Sequence, residues 1–535
     1  MKNIVNIVNF VRAIEPRPGR NIDLVEPVRQ QIALLKKYNL KGTFLLQYDT
    51  LLDNNFVDLV KENTDVAEVG LWFEIVQPLV ENVGEEWHGR YPWDWYNDVG
   101  FTIGYEPGVR IKLVDEAMSK FKEIFGYFPE CVGSWHIDSV SMDYFDSKYN
   151  VSACCICRDQ VGIDGYTMQG GFFNQAYYPS KNNMFCPANS KENQINMPVF
   201  RMLGSDPIYE IDCQLYPEVW KLGQPTLEPV SSKFGGNEEW CKWFFDQNFN
   251  GSGISMQYTQ VGQENSFGWP RMSKGLDIQF NMVKQLSQQG KVEVMTLAEA
   301  GKWYKSNFEI TPPATQSALT DVQGLNKKSA WYNSRFYRMN ILFEDGIVRI
   351  RDMYIFNDEL KEKYLERRCV THACEFRNLP VMDSLLYTDK DKDETIAGVY
   401  FTKQGKAIKW NDMQYREENN SAVVILESDC GKLTLKMNEE SVEIDTDVEG
   451  FVLKPVYNKD LVYGNVPDRD SFGNHNNRSV IISCVSQADV KENTAYFTFC
   501  DINYSLQAVA GTFSDNFELA PKDGKITVKI NGKLK

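Results

Sequence analysis

One apolar run after another in the first 264 residues of this chain closes on a carboxylate. Asn3–Phe10 leads into Glu15, Gly42–Gln47 into Asp49, and Val66–Ile75 contains Glu74 near its end. Cys131–Ile137 is followed by Asp138, Ser152–Cys157 by Arg158 and Asp159, and the stretch after Ile254–Tyr258 reaches Glu264. Acids in different surroundings can divide the labour of proton transfer: burial raises the pKa of one, while a nearby guanidinium keeps another ionised. Arg12, Arg17 and Arg158 stand among these acids and can supply the guanidinium. For any single acid, a helix N-cap or a solvated loop position is the commoner role. Their recurrence at equivalent places points to one shared acidic pocket.

Aromatic residues accompany the acids. Trp72 and Trp135 lie in the third and fourth runs, and Trp93 lies within Trp87-His88-Gly89-Arg90-Tyr91-Pro92-Trp93-Asp94-Trp95-Tyr96. That segment has the Gly and Pro of a loop and lacks the spacing of a helical core stripe. It reads either as a wall that stacks on a sugar ring or as a self-packed loop that plugs the site. The four histidines, His88, His136, His372 and His475, form no short-spaced metal pair. Cys154 and Cys157 have C-x-x-C spacing but no second pair to complete a zinc site. Cys154, Cys155 and Cys157 therefore read as buried thiols on a strand, which suits a reducing, cytoplasmic compartment. A serine elbow and a phosphate-binding glycine loop are both absent, so neither a metal nor a cofactor is expected.

The elements that would position these residues alternate. The helical spacing of Val25, Val28, Ile32 and Leu35 follows the first run, and Val109–Phe125 is a second clear helix. Further runs at Val199–Leu203 and Lys291–Leu297 give seven or eight strands alternating with helices, the pattern of a parallel barrel whose reactive groups sit at the strand C-termini. After Pro312-Pro313 the texture changes to short strand-like runs between Asn, Asp and Gly turns: Ile341–Ile350, Val399–Phe401, Ala422–Leu426, Lys432–Met437, Val442–Ile444, Val480–Cys484, Ala495–Cys500 and Lys525–Ile530. The expected fold is thus α/β: a distorted (β/α)7-type parallel barrel over 1–310, followed by a mainly antiparallel β-sandwich over 311–535. At 535 residues, chain length favours two or three domains.

The formal net charge of −16 repels polyanions, and the basic pairs Lys327-Lys328 and Arg367-Arg368 are too short to offset it, so nucleic acid is not an expected partner. A strongly anionic polymer is disfavoured on the same ground. No apolar run reaches the roughly 18 residues of a membrane span.

Several segments resemble the glycoside hydrolase/deacetylase superfamily, which includes the NodB-type polysaccharide deacetylases and the family-38 and family-57 glycoside hydrolases. Lys41-Gly42-Thr43-Phe44-Leu45-Leu46 is similar to the second-strand "ATFF" of the deacetylases, and Glu68-Val69-Gly70 to their "E-I-G". Phe125-Gly126-Tyr127-Phe128-Pro129 is similar to the approach to their third motif. The resemblance implies a distorted (β/α)7 barrel and an oligosaccharide or polysaccharide substrate. The chain departs from the deacetylase pattern where the metal is held. Asn9-Phe10-Val11-Arg12 stands in place of T-F-D-D, and Trp72 and Val76 in place of the H-x-x-x-H histidines.

The expectation is a glycoside hydrolase working by two carboxylates, with Asp138 as nucleophile or base and Glu264 as general acid. Glu74 and Asp159 flank them, and Glu74 replaces Asp138 if Asp138 and Glu264 do not share one cavity. Substrate would contact Trp72, Trp93, Trp135, His136, Arg12, Arg158, Glu15 and Tyr258. Three alternatives remain open: a metal-dependent deacetylase built on His136, Asp138 and Asp159, a lyase or isomerase on sugar acids, and a catalytically silent glycan-binding protein.

Overall fold

The computed structural model describes residues 2–530 apart from 18, 164, 250, 252, 389–394, 458–465, 470–474, 479–485 and 500–501. The expected strand at Val480–Cys484 lies outside the described residues.

The first strand, β1 (Lys2–Val11), organises the barrel. It is covered on both faces and its apolar residues are wholly buried, as the near-continuous hydrophobic run of a central parallel strand requires. It pairs in parallel with β2 (Gly42–Leu46) through its C-terminal half. Through its N-terminal half it pairs with β10 (Met256–Val261) and β11 (Glu293–Met295), also in parallel. The asparagines within the run bond neighbouring backbone through one amide atom each: Asn6 Nδ2 donates to Met295 O at 2.8 Å, and Asn9 Oδ1 accepts from Gln263 N at 3.3 Å.

From β2 the sheet continues through β3 (Ala67–Trp72), β4 (Cys131–Gly133), β5 (Ala153–Ile156) and β9 (Val199–Arg201), all parallel. The order β10-β1-β2-β3-β4-β5-β9 is that of a nearly closed parallel barrel. An antiparallel two-residue strand, β8 (Ala176–Tyr177), follows β9, and a Gln175–Gln257 side-chain hydrogen bond of 3.0 Å joins the β8/β9 side to β10. The interior is filled by side chains. A Cβ on Gly70 would lie 2.5 Å from Cys131 Sγ, and one on Gly133 2.6 Å from Cys155 Sγ, so glycine at these points lets adjacent strands carry bulk inward.

At the N-terminal end of the barrel, Glu68 is structural. Its carboxylate accepts from Thr43 and Thr296 at 2.7 and 2.6 Å and from Ala298 N at 3.2 Å, pinning the start of the helix Leu297–Asn307. Thr296 and Glu299 close that helix with a capping box.

From Ala314 onward two antiparallel sheets face each other across one apolar core. The first begins with β12 (Ala314–Ala318), β13 (Lys327–Asn333), β14 (Tyr337–Glu344) and β15 (Ile347–Ile355). The run Ile341–Ile350 is thus two strands, with the chain reversing at Asp345 and Gly346, both in the left-handed region. One strand departs from this sandwich. Cys374–Arg377 pairs in parallel with β7 (Tyr166–Gln169), which forms a hairpin with β6 (Gln160–Ile163) inserted after β5, and Phe376 and Cys369 join the barrel core. The segment 356–377 therefore straps the sandwich onto the barrel. No helix among the described residues is long and apolar enough to cross a membrane.

Candidate active site at the C-terminal end of the barrel

Arg12 leaves the end of β1 and turns inward, buried to 3% exposure. Its Nε and Nη2 donate to Glu74 Oε2 and Oε1, both at 3.1 Å, a fork that matches a carboxylate in plane. The same Nη2 lies 3.0 Å from Glu74 Oε2 and 3.2 Å from Glu264 Oε2. One nitrogen thus bridges two carboxylates, and the two oxygens can be no farther apart than twice the longer of these distances. Glu74 Oε2 also accepts from Gln47 Nε2 at 2.8 Å and Trp72 Nε1 at 2.9 Å. Ser266 Oγ donates to Glu264, and the Arg12 guanidinium lies 4.1 Å above the Trp93 ring.

Burial pushes the Glu74 carboxyl up from its ordinary range, against the pull of Arg12 and the Trp72 indole. Burial also works against the charge on Arg12, but Glu264 and Glu74 outweigh it and raise its pKa. Asp49, at the end of β2, accepts from Ala13 N at 3.0 Å and Thr50 N at 2.8 Å. Burial carries its pKa to about 7 despite those bonds. The sequence marks Asp49 as the acid that closes the second apolar run but assigns no role to it, to Gln47 or to Ser266. That position of Asp49 was the available signal.

The aromatic segment covers the cluster. Val76 and Trp93 form an isolated bridge, and Trp93 is 3% exposed. Arg90 grips Asp94 through Nε and Nη2 at 2.9 and 2.7 Å and lies over Tyr96 and Trp95 at 3.6 and 4.6 Å. Trp72 stacks on Phe10 at 4.3 Å, and Trp135 stands edge-on to it at 5.6 Å. Trp72 and Trp93 are interior rings, while Trp135 keeps a partly open face.

The remaining candidate residues lie in other surroundings. Asp138 caps the helix Ser139–Tyr149, accepting from Ser141 N and Oγ at 3.1 and 2.7 Å, and pairs with the buried Arg110 at 2.9 Å. Burial opposes its charge, but Arg110, Thr102 and Ser141 outweigh burial and hold the carboxyl below its usual range. Asp159 binds Arg201 at 2.7 Å and Arg338 of β14, and Arg338 in turn holds Asp352 at 2.7 Å. That chain of charges joins barrel to sandwich. Arg158 pairs with Glu210 and donates to Asp159 O at 2.8 Å. His136 is wholly buried, 3.0 Å from Asn97 Oδ1 and stacked on Phe101 at 4.1 Å. Burial drops its pKa to about 3, so it is a neutral ring. Tyr258 is buried against Phe200 at 5.0 Å. Glu15 pairs with Arg17 on the loop after β1. Of the expected residues, the fold brings together Arg12, Glu74, Glu264, Trp72 and Trp93, and no hydrogen bond or ion pair links Asp138 or Asp159 to them.

A metal suits this end poorly. Where the deacetylase pattern has its acids, the Arg12 guanidinium already sits between the two glutamates, and the histidine positions hold buried Trp72 and Val76. Among the described residues no three His, Cys, Asp or Glu side chains gather in a way that could hold a metal ion.

No protein-family model matches the chain, and no curated protein matches it. Solved structures do. A "putative glycoside hydrolase/deacetylase" from Parabacteroides distasonis superposes with a TM-score of 0.51 over 73% of this chain and 94% of its own, at 13% identity. The chain shares the fold of that structure. Matches to a "putative polysaccharide deacetylase" from Mycobacterium smegmatis and a family-57 branching enzyme from Thermococcus kodakaraensis are looser. Their TM-scores are 0.35 and 0.32, at 11% and 10% identity, each over 57% of this chain and over 91% and 71% of theirs.

Proposed function

We propose that this chain is a carbohydrate-active enzyme, a glycoside hydrolase whose two working carboxylates are Glu74 and Glu264. The observation that carries the proposal is the single guanidinium nitrogen shared by both acids at the C-terminal end of the barrel. Retention uses carboxyl groups roughly 5–5.5 Å apart and inversion roughly 6.5–9.5 Å, and two acids that share one nitrogen are close neighbours of the kind retention needs. Glu74, whose fork from Arg12 and bonds from Trp72 and Gln47 favour the charged form against burial, acts as nucleophile or stabiliser of the oxocarbenium-like transition state. Glu264, held by Ser266 and one edge of Arg12, delivers the proton to the leaving oxygen. Trp93 and the aromatic segment around it act as a lid that lifts to admit substrate, and the open face of Trp135 receives a sugar ring. Asp138 and Asp159 serve as positioning residues.

A second reading, a silent glycan-binding barrel, is favoured by one fact: Glu74 Oε2 accepts from three donors, Arg12, Gln47 and Trp72, which engage the oxygen that would have to attack. A screen of aryl-glycosides and oligosaccharides, run with and without chelator on wild type, Glu74→Gln and Glu264→Gln, separates the two. Chelator-resistant turnover lost in both variants supports the hydrolase; binding without turnover in all three proteins supports the silent binder.

We take the barrel, 1–310, as the catalytic unit and 311–535 as its support, with the 356–377 strap crossing between them. A cytoplasmic location is proposed on the described cysteines, which are unpaired thiols, all buried except Cys430.

A further inference from the structure

The loop that follows β1 carries three arginines that run outward from the glutamate pair. Side-chain exposure rises from 4% at Arg12 to 8% at Arg17 and 24% at Arg20. The inner two are paired. Arg12 holds Glu74 and Glu264, while Arg17 holds Glu15 and lies 3.5 Å from Ser266 Oγ. Trp93 underlies both, its ring 4.1 Å from the Arg12 guanidinium and 5.3 Å from that of Arg17.

The outermost arginine is different. Its one acidic contact among the described residues is Glu15 Oε2 at 3.9 Å, and that carboxylate is already bound to Arg17.

A second loop lies alongside. Asn265 Nδ2 donates to both Arg12 O and Leu24 O at 2.8 Å, and a Cβ on Gly268 would sit 3.3 Å from Ile22 Cγ2. This contact brings the first turn of the helix Trp269–Gln288 to the same rim. That turn contains no acid and carries Arg271, an exposed guanidinium resting 5.1 Å from the Phe267 ring, with no carboxylate within 4 Å among the described residues. A cation in a first helical turn works against the helix dipole, whose N-terminal end favours an anion. Arg17 and Arg271 both depress the pKa of Arg20, adding to the effect of its partial burial. The rim thus gathers like charges in a chain whose overall charge is −16.

We propose that Arg20 and Arg271 form a subsite for the single negative charge of an acidic sugar, a uronate carboxylate or a sugar sulfate ester, whose neighbouring residue is processed at Glu74 and Glu264. A guanidinium presents paired N–H donors that match either group, and Arg20 keeps its fork uncommitted. One uncommitted fork at the rim suits an isolated charge on an oligosaccharide and not a densely charged polymer, in keeping with the acidic surface elsewhere. The subsite rests on the carbohydrate reading above.

The test is calorimetric titration of the full chain with three probes: a glucuronate-containing oligosaccharide, its carboxyl-reduced neutral counterpart, and a monosulfated analogue. Wild type should bind at least one acidic probe about tenfold more tightly than the neutral one, and whether the uronate or the sulfate leads identifies the anion. Arg20→Ala should bring the ratio close to unity, Arg271→Ala should lower it about threefold, and neither should alter neutral binding. Raising salt from 50 to 500 mM should weaken only the acidic probes. An acidic-to-neutral ratio unchanged in Arg20→Ala overturns the subsite and leaves the carbohydrate reading standing. If no probe binds at all, both fail. Binding of the neutral probe, which both variants should keep, separates loss of the subsite from loss of folding.

Discussion

Removing Arg12 should be among the most destabilising single changes in the barrel, and its cost should depend on pH in one direction. Arg12→Ala leaves Glu74 and Glu264, 2% and 5% exposed, beside each other without their shared cation. Breaking a buried pair from one side typically costs about 3–5 kcal/mol, because an uncompensated charge stays behind. Loss of the guanidinium over Trp93 adds about 1 kcal/mol. Burial already raises the pKa of Glu74, and without Arg12 it must rise further. A carboxyl whose folded-state pKa lies above its unfolded value destabilises the fold when ionised. The penalty is therefore absent below the unfolded pKa, grows as pH rises through the interval between the two, and is complete above the folded one. Urea denaturation followed by tryptophan fluorescence should show Arg12→Ala losing about 4 kcal/mol at pH 8 and much less at pH 4.5, with Arg12→Ala/Glu264→Gln recovering part of the loss at pH 8. A loss under 1 kcal/mol at pH 8, or one equal at both pH values, would refute the claim that this guanidinium neutralises two buried acids.

Other expectations follow from the same contacts. The Asp49 carboxyl should titrate near pH 7 by carbon NMR. Because its folded pKa is raised, stability should decline as pH rises from about 4 to about 7 and level off above that, and Asp49→Asn should flatten the decline. Arg338→Met should destabilise the chain by about 3–5 kcal/mol, since it strips one of two arginines from Asp159 and, among the described residues, the only ion-pair partner of Asp352, and its effect should appear as earlier separation of barrel and sandwich. Asp138→Asn should lower stability by a few kcal/mol through Arg110 while turnover falls less than tenfold; a thousandfold fall in kcat with unchanged stability would restore Asp138 as a reacting group. His136 should give no proton-NMR titration between pH 5 and 8.

Much of the barrel was legible because buried parallel strands announce themselves as uninterrupted apolar runs, and each expected run in the first 300 residues contains or overlaps a strand. The sandwich was less so. Asp412–Glu418 reads DMQYREE, an edge strand with little buried face, and carries almost no hydrophobic pattern. The parallel pairing of Cys374–Arg377 with Tyr166–Gln169 joins segments some two hundred residues apart and has no local signal. The acids divide in the same way. Glu74, Glu264 and Arg12 were visible as groups closing neighbouring strands. The tasks of Asp138 and Asp159 are set by Arg110, Arg201 and Arg338, whose arrival depends on tertiary packing. The recurrence of strand-end acids therefore overstated one common pocket. The barrel end separates into a glutamate pair, a helix cap and an inter-sheet ion chain.

The central claim is that Glu74 and Glu264 act together on a glycosidic bond. The most direct measurement is product release from an aryl-glycoside and oligosaccharide panel by wild type, Glu74→Gln and Glu264→Gln, in the presence of a strong chelator. The account predicts turnover by wild type that the chelator leaves intact, and a fall of at least a thousandfold in each variant. Release of acetate that the chelator abolishes, or turnover that survives both substitutions, would contradict it.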